Sequence, residues 1–251
     1  MAGKKFTSRS VRRHYARMVS EKGALPEGGA RAELARRARS LGYSEADLNG
    51  VPESALASLG CGNPTAPAEL KEGEVVLDLG SGCGLDALLA ARRVGPRGRV
   101  IGVDLTPEMV ERSRRAAAKA RAANVEFRIG RIERLPVDDA SVDVVLSNCV
   151  MNHCRDKVAA FREARRVLRP GGRMLVSDLV VEGRVAPLNR RAQQVWGDWL
   201  AVAAGKTDYL RAIRRAGFRK MKVVSEHLFE SPAMAPALQG RIVNLSLRAY
   251  R

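Results

Sequence analysis

An apolar, β-branched run, Val75-Val76-Leu77-Asp78-Leu79, ends abruptly in Gly80-Ser81-Gly82-Cys83-Gly84 and passes straight into a helical repeat carried by Leu85, Leu88, Leu89 and Val94. A run of that length and branching is a buried parallel strand, and the spacing beyond it is that of a helix. Glycines between the two let a ligand lie against bare backbone at the helix N-terminus, where unpaired N–H groups point outward. The spacing is G-x-G-x-G, not the G-x-G-x-x-G of dinucleotide-binding turns. One unit later a strand over 99–103 closes on Asp104, at the position whose carboxylate takes both hydroxyls of a ribose in nucleoside-binding βαβ units.

Strand and helix patterns then alternate. A helix over 107–122 has Pro107 in its first turn and Thr106 as N-cap, and a third strand follows over 125–129. The fourth strand is 142–147, the next helix runs over 156–168 until Pro170-Gly171-Gly172 stops it, and the fifth strand is 173–179. Strands joined in this way by helices form an open parallel sheet, because crossovers between parallel strands are right-handed. Beyond residue 180 the pattern becomes a helical insertion over 187–202, carrying Trp196 and Trp199. A helix over 208–216 leads to two last strands, 220–225 and 241–250, whose short connection without a helical pattern predicts antiparallel pairing. Ligands of such a sheet bind beyond the carboxyl ends of its strands, near the switch in strand order. Ser147-Asn148-Cys149-Val150-Met151-Asn152 ends the fourth strand there, beside the glycine turn.

Residues 1–20 contain no acid, and 6–19 reads as a basic amphipathic helix folded over the cleft, a composition shared by organelle-targeting segments. A Gly/Pro stretch over 23–29 breaks the chain before an Ala/Arg helix that ends at Arg39 and a short helix opened by Ser44 with Asp47 three residues on. Gly60-Cys61-Gly62-Asn63-Pro64-Thr65 follows as a loop with wide backbone freedom and a thiol at its centre.

The net charge of +17 invites nucleic acid as a partner. Yet 35 of the 44 basic residues are arginines dispersed along the chain, and aromatics make up only 4%, too few for a base-stacking platform. Nucleic acid is therefore not expected. No apolar run approaches the roughly 20 residues of a membrane span. Four cysteines (Cys61, Cys83, Cys149, Cys154) in 251 residues without a secretory leader point to reduced thiols and a cytoplasmic setting.

Taken with the glycine turn, Leu41-Gly42-Tyr43-Ser44-Glu45, Val51-Pro52-Glu53, Gly60-Cys61-Gly62-Asn63-Pro64-Thr65, Val103-Asp104-Leu105-Thr106-Pro107-Glu108-Met109, Ser147-Asn148-Cys149-Val150-Met151-Asn152 and Arg169-Pro170-Gly171-Gly172 resemble the arsenite methyltransferase family. The glycine turn, Asp104 and Pro-Gly-Gly are shared with many class I methyltransferases; the Gly-Cys-Gly-Asn-Pro loop and Ser-Asn-Cys-Val are the discriminating pieces. The resemblance implies an α/β Rossmann-like fold, a mostly parallel seven-stranded sheet with a C-terminal antiparallel hairpin and an N-terminal helical lid. It divides the chain into the lid with the Cys61 loop (1–70), a cofactor-binding core (71–183), and an insertion with the last two strands (184–251).

It also implies S-adenosyl-L-methionine as cofactor. Asp78, Gly80, Ser81, Gly82 and Gly84 would hold the methionine portion and Asp104 with Leu105 the ribose, while Ile132 and Glu133 border the adenine and Met109 and Asn148 complete the set. Trivalent arsenic would bind to thiolates of Cys61 and Cys149 and receive the methyl on its lone pair, with a thiol reductant as a further partner. No general base is needed, because that lone pair carries no proton, but the thiols must be deprotonated to bind the ion. Cys83 reads as a small turn residue.

Two features depart from the family. Its third cysteine falls in a Trp-Gly-Glu-Cys-Leu type segment that reads Trp196-Gly197-Asp198-Trp199-Leu200 here, and no cysteine occurs over 20–40. Cys154 and His153 are candidate local substitutes. An organic small molecule methylated on oxygen, nitrogen, carbon or selenium is the alternative substrate.

Overall fold

The computed structural model describes residues 31–57, 60–154, 156–185, 203–229 and 234–251. The basic segment 6–19 and the insertion with Trp196 and Trp199 lie outside the described residues. Among the described residues three helices precede the first strand: α1 (Arg31–Ser40), α2 (Glu45–Leu48) and α3 (Glu53–Leu56). Ser44 opens α2 with the expected capping box, its side chain taking the Asp47 amide while the Asp47 carboxylate takes the Ser44 amide.

The branched run forms β1 (Val75–Leu79), followed by α4 (Leu85–Val94), β2 (Arg99–Asp104), α5 (Pro107–Lys119), β3 (Val125–Ile129) and β4 (Val142–Asn148). Then come α6 (Lys157–Val167), β5 (Leu168–Val181), α7 (Lys206–Arg215), β6 (Arg219–Leu228) and β7 (Ile242–Tyr250). The strands make one sheet of order β3-β2-β1-β4-β5-β7-β6. β1 to β5 run parallel, and β7 lies antiparallel to both β5 and β6, as expected of the last two strands.

Alternation along each strand divides the core between the two faces of the sheet. Val76, Val100, Leu146 and Leu175 meet Leu85 and Leu88 of α4, Val110 of α5 and Tyr43 on one face. Leu77, Leu79, Val145 and Val176 meet Phe161 of α6 and Tyr209 and Ile213 of α7 on the other. Among the described residues no helix is long and apolar enough to cross a membrane.

Two local expectations give way. β5 starts at Leu168, so Pro170-Gly171-Gly172 lies inside an irregular strand entry, where the register with β4 jumps from Val142↔Leu168 to Val144↔Arg173. The residues that stop the helix thus serve as the bulge that starts the strand. Thr106 occupies the N-cap position of α5, but its side chain makes no capping bond. Its amide instead donates to Asp104 Oδ1 at 2.8 Å, so the acid closing β2 braces this turn.

Candidate functional site

The first chain crossing of the sheet, between β1 and β4, creates a gap at the carboxyl ends of the strands. The loops there enclose a cleft with about 970 Å³ of empty space, part of it open solvent. Its floor is the glycine turn. Gly80 and Ser81 donate their amides to Val103 O at 2.8 and 3.1 Å, and Gly82 donates its amide to Asp104 Oδ2 at 2.9 Å. Gly80 has φ of +66°, and a Cβ added there would sit 2.5 Å from Val150 Cγ2, so only glycine meets this turn without strain.

Asp78, Asp86 and Asp104 all face the cleft. Burial pushes each carboxyl above its ordinary range, and the charges of Asp86 and Asp104 push Asp78 further. Asp78 Oδ2 and Ser81 Oγ, both buried in the cleft wall, have no hydrogen-bond partner. Leaving such atoms unpaired is costly, and a cationic donor in the cleft would relieve both the charge crowding and the missing bond. The residues present therefore fit the ammonium-bearing cofactor expected from the sequence.

The other expected cofactor residues fall around the same space. Leu105 and Met109 line it from the β2 side, Ile132 and Glu133 from the loop after β3, and Asn148 from the end of β4. Gly84 is buried behind the wall, where an added Cβ would lie 3.1 Å from Phe127 Cζ. Glu133 caps no helix; it pairs with Arg131 at 3.2 Å. Cys83 is buried with Sγ 3.7 Å from Met109 Sδ, a turn filler as expected.

The two discriminating thiols meet. Cys61 Sγ, Cys149 Sγ and a carboxylate oxygen of Asp178 all lie within 4.8 Å of one another. Asn148 is the clamp that makes this possible. Its Oδ1 accepts the Cys61 and Gly62 amides at 3.0 and 3.3 Å. Its Nδ2 donates to Gly62 O at 2.7 Å, Asp86 Oδ2 at 3.0 Å and Tyr43 Oη at 3.1 Å. Asn244 Nδ2 donates to Cys61 O from β7, and a Cβ added at Gly60 would land on the Asn148 amide, so the loop is both tied and closely fitted. The amide of Asn148 is thus spent on the Cys61 loop.

Cys149 follows β4 with φ of +61° and donates its amide to Ser177 O at 2.8 Å. A left-handed cysteine is strained, and such strain is held where the surrounding bonds fix it. Cys149 is half-buried and lines the cleft, whereas Cys61 is fully buried behind it. Burial raises the Cys61 thiol well above its ordinary range, with Cys149 and Asp178 adding to the effect.

Asp178 was not anticipated from the sequence. It sits on β5, where Asn152 Nδ2 and the Leu179 amide donate to its Oδ1 at 2.7 and 3.1 Å and Tyr209 Oη donates to its Oδ2 at 3.1 Å. Burial pushes its carboxyl up to about 6, against the pull of these donors. The available signal was position: β5 lies next to β4, and Asp178 is the one acid of that strand, close to the apolar Val176 and Leu179-Val180-Val181. The suggested substitutes, Cys154 and His153, line the cleft but do not join the cluster of Cys61, Cys149 and Asp178. Cys154 instead donates to Asp156 O at 3.1 Å, and burial pushes its thiol up to about 12.

Residues 70–217 match a family described as a methyltransferase domain. An arsenite methyltransferase of Halobacterium salinarum is 48% identical over 186 residues, 73% of this chain and 47% of that protein. An arsenite methyltransferase of Aquipseudomonas alcaligenes is 40% identical over 187 residues, 70% of this chain and 52% of that protein. The crystal structure of an arsenic (III) S-adenosylmethionine methyltransferase from Chlamydomonas reinhardtii is 34% identical and superposes with a TM-score of 0.69, over 90% of this chain and 74% of that one. The chain spans about half the length of the curated relatives it matches.

Proposed function

The chain belongs to the arsenite methyltransferase family, within the class I S-adenosylmethionine-dependent methyltransferases, and on that footing we propose that it methylates trivalent arsenic held by Cys61 and Cys149. The observation that carries this reading is the approach of the two thiols and a carboxylate to within 4.8 Å at the edge of the cofactor cleft. Soft trivalent ions select thiolates, and a paired site of this kind has little use in plain core packing.

Each part of the site has a role in the reading. Asp78, with its unpaired Oδ2, receives the ammonium of the methionine portion beside Ser81 and the glycine turn, and Asp104 takes the ribose. Ile132 and Glu133 border the base. Bound S-adenosylmethionine supplies a methyl group on a positively charged sulfur. Cys61 and Cys149 exchange two arsenic-bound hydroxides for sulfur: arsenite and two thiols give a dithio-arsenic hydroxide and two waters, so the thiol protons leave in the water. Asn148 presets the distance between the thiols and so supplies orientation in advance of binding. Methylation on the lone pair takes As(III) to As(V), and a thiol reductant oxidised to its disulfide returns the two electrons. The lid with the Cys61 loop (1–70), the cofactor core (71–183) and the remainder (184–251) are the working parts of this scheme, set in a reducing cytoplasm.

The test is methyl transfer from S-adenosylmethionine in a reduced assay. Arsenite-dependent turnover is expected, collapsing in Cys149→Ser while cofactor affinity is kept. Absence of any arsenite-dependent methylated product refutes the proposal, and turnover of an organic acceptor that survives serine at both cysteines selects the alternative substrate.

A further inference from the structure

Two thiolates leave a trivalent arsenic one bond short, and the third member of the cluster is an oxygen acid. We propose that Asp178 receives the third arsenic substituent when that substituent is a hydroxyl, and so acts as a positioning and selectivity residue for inorganic arsenite over its monomethylated form. The inference rests on the proposed arsenic site.

Asp178 holds its carboxylate beside the thiol pair. One of its oxygens lies within 4.8 Å of both sulfurs, and the residue is fully buried. Its remaining donors come from Asn152, Leu179 and Tyr209, which fix both oxygens from the protein side and leave acceptor capacity, since three donors do not fill the four lone-pair directions of a carboxylate. Inorganic arsenite, after exchanging two hydroxides for sulfur, keeps one As–OH. That O–H is a donor, and among the described residues Asp178 places a carboxylate oxygen within its reach.

Monomethylated arsenic, bound by the same exchange with loss of two waters, carries a methyl group in the third position and has no proton to donate. Facing that methyl group toward a buried carboxylate gains nothing and leaves the carboxylate less satisfied. A pyramidal centre with its three substituents toward Cys61, Cys149 and Asp178 carries its lone pair on the opposite side. Asp178 thereby fixes rotation about the two arsenic–sulfur bonds for the hydroxyl-bearing substrate alone.

The experiment compares arsenite with monomethylarsenite on the same protein, without cofactor, by titration calorimetry or the ultraviolet thiolate-to-arsenic band. Asp178→Asn is expected to weaken arsenite binding about tenfold or more, the loss of one hydrogen bond to a charged acceptor, and monomethylarsenite binding by less than about threefold. Equal losses on both ligands, or no loss on either, overturn the inference. Because a variant at a buried carboxylate can fail to fold, the unaltered protein supplies a second readout. Its infrared difference spectrum should show an aspartate carboxylate band displaced by arsenite and not by monomethylarsenite, and an identical band with both overturns the inference. If the unaltered protein binds neither arsenical, the arsenic site itself is refuted, a result separate from any behaviour of Asp178.

Discussion

Replacing Asn148 with alanine removes a side chain that ties the Cys61 loop to the end of β4, next to Cys149. Its amide accepts from the Cys61 and Gly62 amides and donates to Gly62 O, Asp86 Oδ2 and Tyr43 Oη, at distances between 2.7 and 3.3 Å. The three acceptors share two N–H hydrogens, so four full bonds are the most the amide makes, and at about 1 kcal/mol net for each the sum is about 4 kcal/mol. Asn148 is half-buried, so water entering the gap recovers part of this, and contributions within one network are not additive. A net loss of about 2–3 kcal/mol results, or roughly 30- to 150-fold in an equilibrium. That loss falls on the predocked state of Cys61, so arsenite affinity measured by titration calorimetry should drop by about that factor. Cofactor affinity should stay within about threefold, since the amide is engaged with protein. Asn148→Asp keeps the size but sets a carboxylate oxygen against Asp86 and Gly62 O, and should be at least as damaging. Unchanged arsenite affinity, or a parallel collapse of cofactor binding, refutes the clamp.

Two further perturbations test the cleft. Asp78→Asn removes a buried carboxyl crowded by Asp86 and Asp104, so the ligand-free protein should become more stable in denaturant titration while cofactor binding weakens; loss of stability together with intact cofactor binding would contradict the assigned role. Burial pushes the Cys83 thiol from 9.0 to about 11. A thiol whose folded value is raised contributes stability that is fully present below pH 9 and is lost as pH rises through about 11. The protein should therefore lose about 1 kcal/mol between pH 8 and 10 relative to Cys83→Ala, read by urea unfolding at the two pH values, and parallel curves would refute the burial argument.

The parts of this molecule written in local pattern were readable from the chain. The branched run 75–79, the glycine turn and the acid after the second strand sit where periodicity places them, because a buried parallel strand and a positive-φ turn leave few residue choices. Even the meeting of Cys61 and Cys149, 88 positions apart in the chain, was anticipated, through resemblance and not through spacing. Asp178 and the clamping role of Asn148 were not. Both depend on which strands become neighbours: β5 joins β4, which brings Asp178 beside Cys149, and the Cys61 loop folds onto the end of β4, which engages the Asn148 amide with the loop at the edge of the cleft it lines. Thr106 shows the same limit on a small scale, since a residue in a capping position can lose the role when a neighbouring carboxylate takes over the turn.

The most direct test of the paired-thiol site is X-ray absorption at the arsenic edge on the arsenite complex, with Cys61→Ser and Cys149→Ser alongside. The account predicts two sulfurs and one oxygen around arsenic in the unaltered protein, and one sulfur lost in each variant. Retention of both sulfurs in either variant, or no arsenic–sulfur bond in the unaltered protein, would contradict it.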